Sequence, residues 1–402
     1  MLLLLAACHD PPAPPEGDGD PPPIAALPCE PSGRHAGPPG DDLHRVTLTD
    51  AAARCNDGTP PVLWVRAATD PAHARDWVVH LEGGGLCRTA AECAARWCGG
   101  TPPYDASDMS SAWAPLAVEG HGIASPRAAN AFAGYNQVRV HYCSSDLWLG
   151  TVAAHAFDDP DVGAYTVALQ GDGIVQAVLD ALLDGVAPED GAAAPPPLSD
   201  ARLVVLNGAS AGGYGALLRA WRVVDALPDA EVVVSADAAF SPDPEVLPPD
   251  ARDAVEADLR ERYADIALGL WATPLEPACL AAHDAEPWRC LDLATVLRER
   301  LPGAAAVHHD LFDAVLQQSV PVGTLDDYAA WSAATLALLA QERPEMALHG
   351  AACGRHTVTD DDVAFFGVRV DGASYHEVLA DRVAGERRVA VDDPTGAGSR
   401  CP

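Results

Sequence analysis

Five short runs of almost unbroken apolar sequence, at 62–65, 77–81, 138–142, 203–206 and 232–234, most restrict how this 402-residue chain folds. A strand with one wet face alternates apolar and polar residues, whereas a strand covered on both faces does not. The runs therefore predict a buried, mostly parallel sheet. Between them the spacing turns helical, with Ile174, Ala177, Val178, Ala181 and Leu182 on one face, and Ala216, Leu217 and Ala220 on another. Strands alternating with helices predict an α/β architecture, a mostly parallel central sheet flanked by helices. The Pro- and Ala-rich stretch 186–199 reads as an insertion within that domain.

Charge and cysteine narrow the setting. The 58 acidic and 25 basic side chains, all of the latter Arg, give a net charge of −33. Such a field repels phosphate backbones and anionic headgroups and excludes nucleic acid as the main partner. Eleven cysteines are too many for a reduced cytosolic protein, and no C-x2-C pair offers zinc spacing. The cluster Cys87, Cys93, Cys98 reads as a disulfide-braced loop region. Leu2 to Leu5, Ala6 and Ala7 before Cys8 resemble the end of a bacterial lipoprotein signal, although the run is short and lacks basic residues. With Cys8 as a lipid anchor, ten cysteines remain, enough for five bridges. The expected organisation is a signal remnant at 1–8, a Pro/Gly-rich tether at 9–28 and one catalytic domain at 29–402. An exported protein follows, a cell-envelope lipoprotein or a secreted monomer, touching membrane only through Cys8.

The run 203–206 leads into Asn207-Gly208-Ala209-Ser210-Ala211-Gly212-Gly213, a G-x-S-x-G motif followed by helical sequence. In that context the serine sits on a tight strand-to-helix corner, and the Ala211 N–H at the helix start faces a developing oxyanion. A second glycine cluster, Gly83-Gly84-Gly85, follows the run 77–81 and supplies the other half of an oxyanion hole. The base must come later in the chain. His283, His308, His309, His349, His356 and His376 are all candidates, and spacing alone does not choose. His308-His309-Asp310 lacks the i, i+4 spacing of a helical metal site, and neither metal nor cofactor is expected.

Several segments together resemble the pectin acetylesterase and Notum family of serine carboxylesterases. They are Cys55-Asn56-Asp57-Gly58-Thr59-Pro60-Pro61, Leu81-Glu82-Gly83-Gly84-Gly85-Leu86-Cys87, Tyr142-Cys143-Ser144-Ser145-Asp146-Leu147-Trp148-Leu149-Gly150, the elbow Ser210 to Gly213, and Asp237 to Phe240. The resemblance implies an α/β-hydrolase-like, disulfide-braced fold. It also implies Asp313 as acid, from Phe312-Asp313-Ala314-Val315-Leu316-Gln317, and His356 as base, from Cys353-Gly354-Arg355-His356. One extra residue before Gln317 keeps Asp310 as an alternative acid, and Leu86 replaces the usual aromatic.

The expected triad is thus Ser210, Asp313 and His356, with the N–H groups of Gly84, Gly85 and Ala211 as oxyanion hole. Glu82, Asp146 and Trp148 read as structural. The expected reaction is hydrolysis of O-acyl esters, O-acetyl first, on an acylated carbohydrate or small ester. The net charge of −33 disfavours polyanionic pectin. Longer acyl esters of the Notum type are one alternative, and a non-catalytic surface-binding module on the same scaffold is another. Cys279 and Cys290 are close enough in sequence to pair across a short loop and Cys353 is within reach of Cys401, but ten cysteines allow many connectivities and the sequence does not choose among them.

Overall fold

The structure, a computed structural model, describes residues 27–29, 31, 39–99, 104–301, 303–396 and 401. Cys8, the segment 1–8 and nearly all of the 9–28 tether lie outside the described residues. In chain order the strands are β1 (Pro39–Thr47), β2 (Val62–Arg66), β3 (Asp76–Leu81), β4 (Ala117–Val118), β5 (Asn136–Val140), β6 (Val152–Asp159) and β7 (Gly163–Leu169). There follow β8 (Leu203–Ala209), β9 (Glu231–Asp237), β10 (Ala304–Asp310), β11 (Ala347–Ala351), β12 (Arg369–Val370), β13 (Ala373–Ser374) and β14 (Val389–Val391). Ten of them form one sheet in the order β14-β11-β10-β9-β8-β3-β5-β2-β1-β4. From β14 to β5 every pair is parallel, and from β5 outward through β2, β1 and β4 every pair is antiparallel. The hairpin β6–β7 and the pair β12–β13 stand apart.

Alternate residues of one strand feed two separate cores, which explains the unbroken hydrophobicity. Val204 and Leu206 of β8 pack with Leu217 and Ala220 of helix Ala211–Ala226 and with Val178 of helix Gly171–Asp184. Leu203 and Val205 pack on the other face with Tyr375, Val378 and Leu379 of helix Tyr375–Val383. Each such fully buried side chain contributes about 1.5–3 kcal/mol.

All ten described cysteines are bridged: Cys29–Cys98, Cys55–Cys143, Cys87–Cys93, Cys279–Cys290 and Cys353–Cys401. Leu27, at the end of the expected tether, is buried in the larger core, and Cys29, two residues on, is bridged. Strands β10 and β11 escape the apolar-run criterion, since AAAVHHD and ALHGA are rich in Ala and His. Leu81, Ala209, Asp237, Asp310 and Ala351 all end on the same sheet edge, where open α/β sheets gather their functional groups.

Candidate active site

Ser210 leaves β8 as the residue before helix Ala211–Ala226, with φ 52° and ψ −119°, a conformation that costs a non-glycine residue about 1–3 kcal/mol. Its N–H donates to the Asp237 carbonyl at 2.8 Å. Gly212 is required by contact, since a Cβ there would stand 1.9 Å from the Leu81 carbonyl oxygen. The serine is thereby pressed against the loop that follows β3.

His356 arrives from the loop after β11. Its Nε2 lies 2.7 Å from Ser210 Oγ, and its Nδ1 lies 2.8 Å from Asp313 Oδ2. Asp313 is fully buried, and its other oxygen accepts from the N–H groups of Val315 at 2.9 Å and Leu316 at 3.1 Å. That cap fixes the carboxylate orientation, so Nδ1–H donates to Asp313 and Nε2 is left to accept from the serine hydroxyl.

Asp310 does not touch the imidazole. Its Oδ2 accepts from Arg355 N–H at 3.0 Å. On the other side of His356, Asp237 Oδ2 accepts from Val358 N at 2.8 Å, Thr359 N at 2.7 Å and Thr359 Oγ1 at 2.8 Å. Two buried carboxylates thus hold the backbone before and after His356. His308 stands between them, its Nε2 3.3 Å from Asp310 and 3.9 Å from Asp237. Burial alone would lower the His308 pKa, but Asp310 and Asp237 outweigh it and the value is raised. His349 Nδ1 lies 2.9 Å from His308 Nδ1 and its Nε2 lies 3.3 Å from the Ala373 carbonyl; burial drives the His349 pKa well down, so Nε2–H donates to Ala373 and Nδ1 accepts from His308 Nδ1–H. Burial also raises the Asp237 pKa.

The remaining late histidines lie elsewhere. His309, next to His308 on a strand, points to the opposite face, where it stacks on Phe240 with centroids 4.7 Å apart. His283 faces Glu299, and His376 Nε2 accepts from Ala131 N–H. Among the described residues no group of His, Cys, Asp and Glu is arranged to hold a metal ion.

The glycine loop is braced from beneath. Gly85 has φ 66°, a left-handed value that favours glycine, and a Cβ there would meet the Tyr104 ring at 3.0 Å. Tyr142 Oη donates to Gly85 O at 2.8 Å, and Trp148 Nε1 donates to Glu82 O at 3.1 Å. Burial would raise the Glu82 carboxyl pKa, but Arg139, His141 and the Tyr142 N–H hold it far below the usual carboxylate range. Asp146 is fully buried and accepts from Ser144 Oγ, Trp148 N, Gly150 N and Gly171 N at 2.6–3.1 Å. Burial still pushes its pKa up to about 6. Those bonds hold Ser145, Leu147 and Trp148 at positive φ, which turns Leu147 toward the site.

Ser210, Ala211, Gly85 and His356 open into a cavity of about 380 Å³. Its wall is mainly apolar, with Leu86, Leu147, Leu149, Ile266, Trp271 and Leu316. Arg262, Ile266 and Ala267 come from a π-helical turn, Arg262–Leu270, within a charged segment that gave no sequence signal for a pocket.

A family model described as Pectinacetylesterase matches residues 40–253, more than half of the chain. The chain belongs to the pectinacetylesterase family. The matched segment holds the glycine loop and Ser210, while Asp313 and His356 lie beyond it. Palmitoleoyl-protein carboxylesterase NOTUM of Homo sapiens is 32% identical over 191 residues, 46% of this chain and 33% of that protein. Pectin acetylesterase 5 of Arabidopsis thaliana is 28% identical over 206 residues, 50% of this chain and 43% of that protein. The match to the human protein thus spans about a third of that relative's length. The solved structure of the Wnt deacylase Notum from Drosophila superposes with a TM-score of 0.69, covering 90% of this chain and 100% of that one at 22% identity. This family member therefore has the Notum fold, an α/β-hydrolase-like architecture.

Proposed function

We propose that this protein is a carboxylic ester hydrolase that works through an acyl-enzyme at Ser210. The observation that carries the reading is the continuous relay from Ser210 Oγ through His356 to Asp313, open to a cavity. Ser210 attacks the ester carbonyl as His356 Nε2 takes its proton. His356 then gives that proton to the leaving alcohol, and water attacks the acyl-enzyme by the same route. Asp313 fixes the tautomer and stabilises the imidazolium. The N–H groups of Gly84, Gly85 and Ala211 are assigned to the oxyanion, at about 3 kcal/mol per donor.

O-acetyl esters fit this chemistry, and the apolar wall favours longer acyl chains as a second reading. A fluorophosphonate probe should label Ser210, and Ser210→Ala should abolish both labelling and turnover of p-nitrophenyl esters in a folded protein. A folded wild type that does not label would instead be a binding module on this scaffold.

Five disulfides support function in an oxidising compartment. No helix among the described residues is long and apolar enough to cross a membrane. Cys8 is assigned as a lipid anchor, and incorporation of a fatty-acid analogue that is lost in Cys8→Ser tests this assignment.

A further inference from the structure

A second cavity, of about 290 Å³, opens at the same edge of the sheet on the far side of the glycine loop. Its base is a cross-strand row. His80 of β3 lies opposite Arg139 of β5, which lies opposite Trp64 of β2, so the three side chains share one sheet face. Val78, two residues before His80 and on that same face, belongs to the smaller core, whereas Val79 and Leu81 belong to the core beneath the acyl cavity. Glu82 lines the second cavity. Its neighbour Gly83 lies so near the nucleophile that a Cβ there would stand 3.2 Å from Ser210 Cβ. The second cavity thus meets the loop assigned to the oxyanion at Glu82, next to Gly83, while the acyl cavity meets it at Gly85.

Their chemistry differs. The charges around the second cavity are largely matched: Glu82 with Arg139 and His141, Asp360 with His80 at 2.8 Å, and Glu119 with His121 at 3.5 Å. Among the described residues Asp108 makes no ion pair within 4 Å, and its Oδ2 accepts from Asp105 N–H at 2.9 Å. Among the described lining residues no cation is left over for an anionic ligand, and the net charge of −33 opposes one as well. What the wall offers instead is the Asp108 carboxylate and the Ser107 hydroxyl oxygen, whose proton goes to Asp105 Oδ1 at 2.6 Å, beside half-buried Trp113. An indole face with convergent hydroxyl and carboxylate groups suits a ligand with one apolar face and a rim of hydroxyls. An uncharged pyranose has that shape.

We propose that this cavity is the subsite for an uncharged sugar unit in the alcohol half of the substrate, so that the ester cleaved belongs to a neutral glycan. The assignment rests on reading Ser210 as the ester-cleaving nucleophile, with the acyl group in one cavity and the sugar in the other. Trp113 and Asp108 are its specificity-determining residues.

Calorimetric titration of full-length Ser210→Ala tests it, because binding is read without turnover. The probes are xylohexaose, mannohexaose, cellohexaose and oligogalacturonate of the same length. The expected result is that one neutral oligosaccharide binds about tenfold or more tightly than oligogalacturonate, and that adding Trp113→Ala or Asp108→Ala weakens it about tenfold or more. In the Ser210 background, kcat/KM for an acetylated form of that oligosaccharide relative to p-nitrophenyl acetate should fall by a similar factor. Trp113→Tyr should recover most of the binding. Oligogalacturonate binding as tightly as the neutral probes, no neutral probe binding, or indifference to both alanine variants would each overturn the proposal. Fluorophosphonate labelling of the wild type reports separately on the nucleophile, so the two readings fail independently.

Discussion

Asp313 and Asp310 are three residues apart at the same edge of the sheet, and exchanging each for Asn tests the proposal that the first orients the base and the second only holds its loop. In Asp313→Asn the N–H groups of Val315 and Leu316, at 2.9 and 3.1 Å, keep the amide oxygen where Oδ1 was. The amide NH2 is then forced toward His356 Nδ1, 2.8 Å away. Nδ1 must become an acceptor, which puts the ring proton on Nε2 facing Ser210 Oγ, where it cannot take the serine proton. The expected loss in kcat is about 10⁴-fold, about 5.5 kcal/mol, from the wrong tautomer and the missing imidazolium partner. Little stability is lost, because the cap survives.

In Asp310→Asn the amide oxygen still accepts from Arg355 N–H, so His356 stays in place and kcat falls by less than about tenfold. The cost appears in stability, about 1–3 kcal/mol, because buried His308 loses one of its two carboxylates. The His308 pKa is raised in the folded state. Its contribution is therefore fully present below the unfolded value of about 6.5 and is lost as pH rises through the folded value. The stability gap between wild type and Asp310→Asn should be widest in mild acid and close toward alkaline pH. Kinetics on a p-nitrophenyl ester, with urea unfolding at several pH values, read both quantities. An Asp310→Asn variant crippled in kcat beside an Asp313→Asn variant within tenfold of wild type would refute the assignment.

Three further outcomes follow from neighbouring features. Lengthening the acyl group from acetyl toward octanoyl should raise kcat/KM by up to about fourfold per methylene, about 0.8 kcal/mol each, while Ile266→Glu flattens the series; a flat wild-type series would remove the longer-acyl reading. His309→Phe should raise the unfolding midpoint, since neither ring nitrogen of His309 has a protein partner and its ring stacks on Phe240. Burial lowers the His309 pKa to about 3, so its neutral form costs stability as pH falls below about 6.5, and the Phe variant should resist acid better. Replacing both Cys55 and Cys143 by Ala should cost about 4–5 kcal/mol by loop entropy for a separation of 88 residues, read as a lower urea midpoint.

Five strands of the large sheet, four of them in its parallel part, and the elbow were legible in the sequence because each depends on local physics. A strand buried on both faces favours apolar residues at successive positions, and a serine on a tight corner needs small neighbours such as Gly212, whatever the rest of the chain does. Strands β10 and β11 were not legible, since their His308, Asp310 and His349 are buried polar residues whose contacts to Asp237, to the Arg355 N–H and to each other bring together distant segments. The family resemblance pointed to Asp313 and His356, yet the local sequence around Asp310 and Asp313 left both as possible acids. Only the tertiary structure separated them, because the difference lies in direction: one carboxylate reaches the imidazole and the other reaches the peptide beside it. The cavity walls were likewise decided in three dimensions, since Leu147, Ile266 and Trp271 meet through contacts that no sequence spacing encodes.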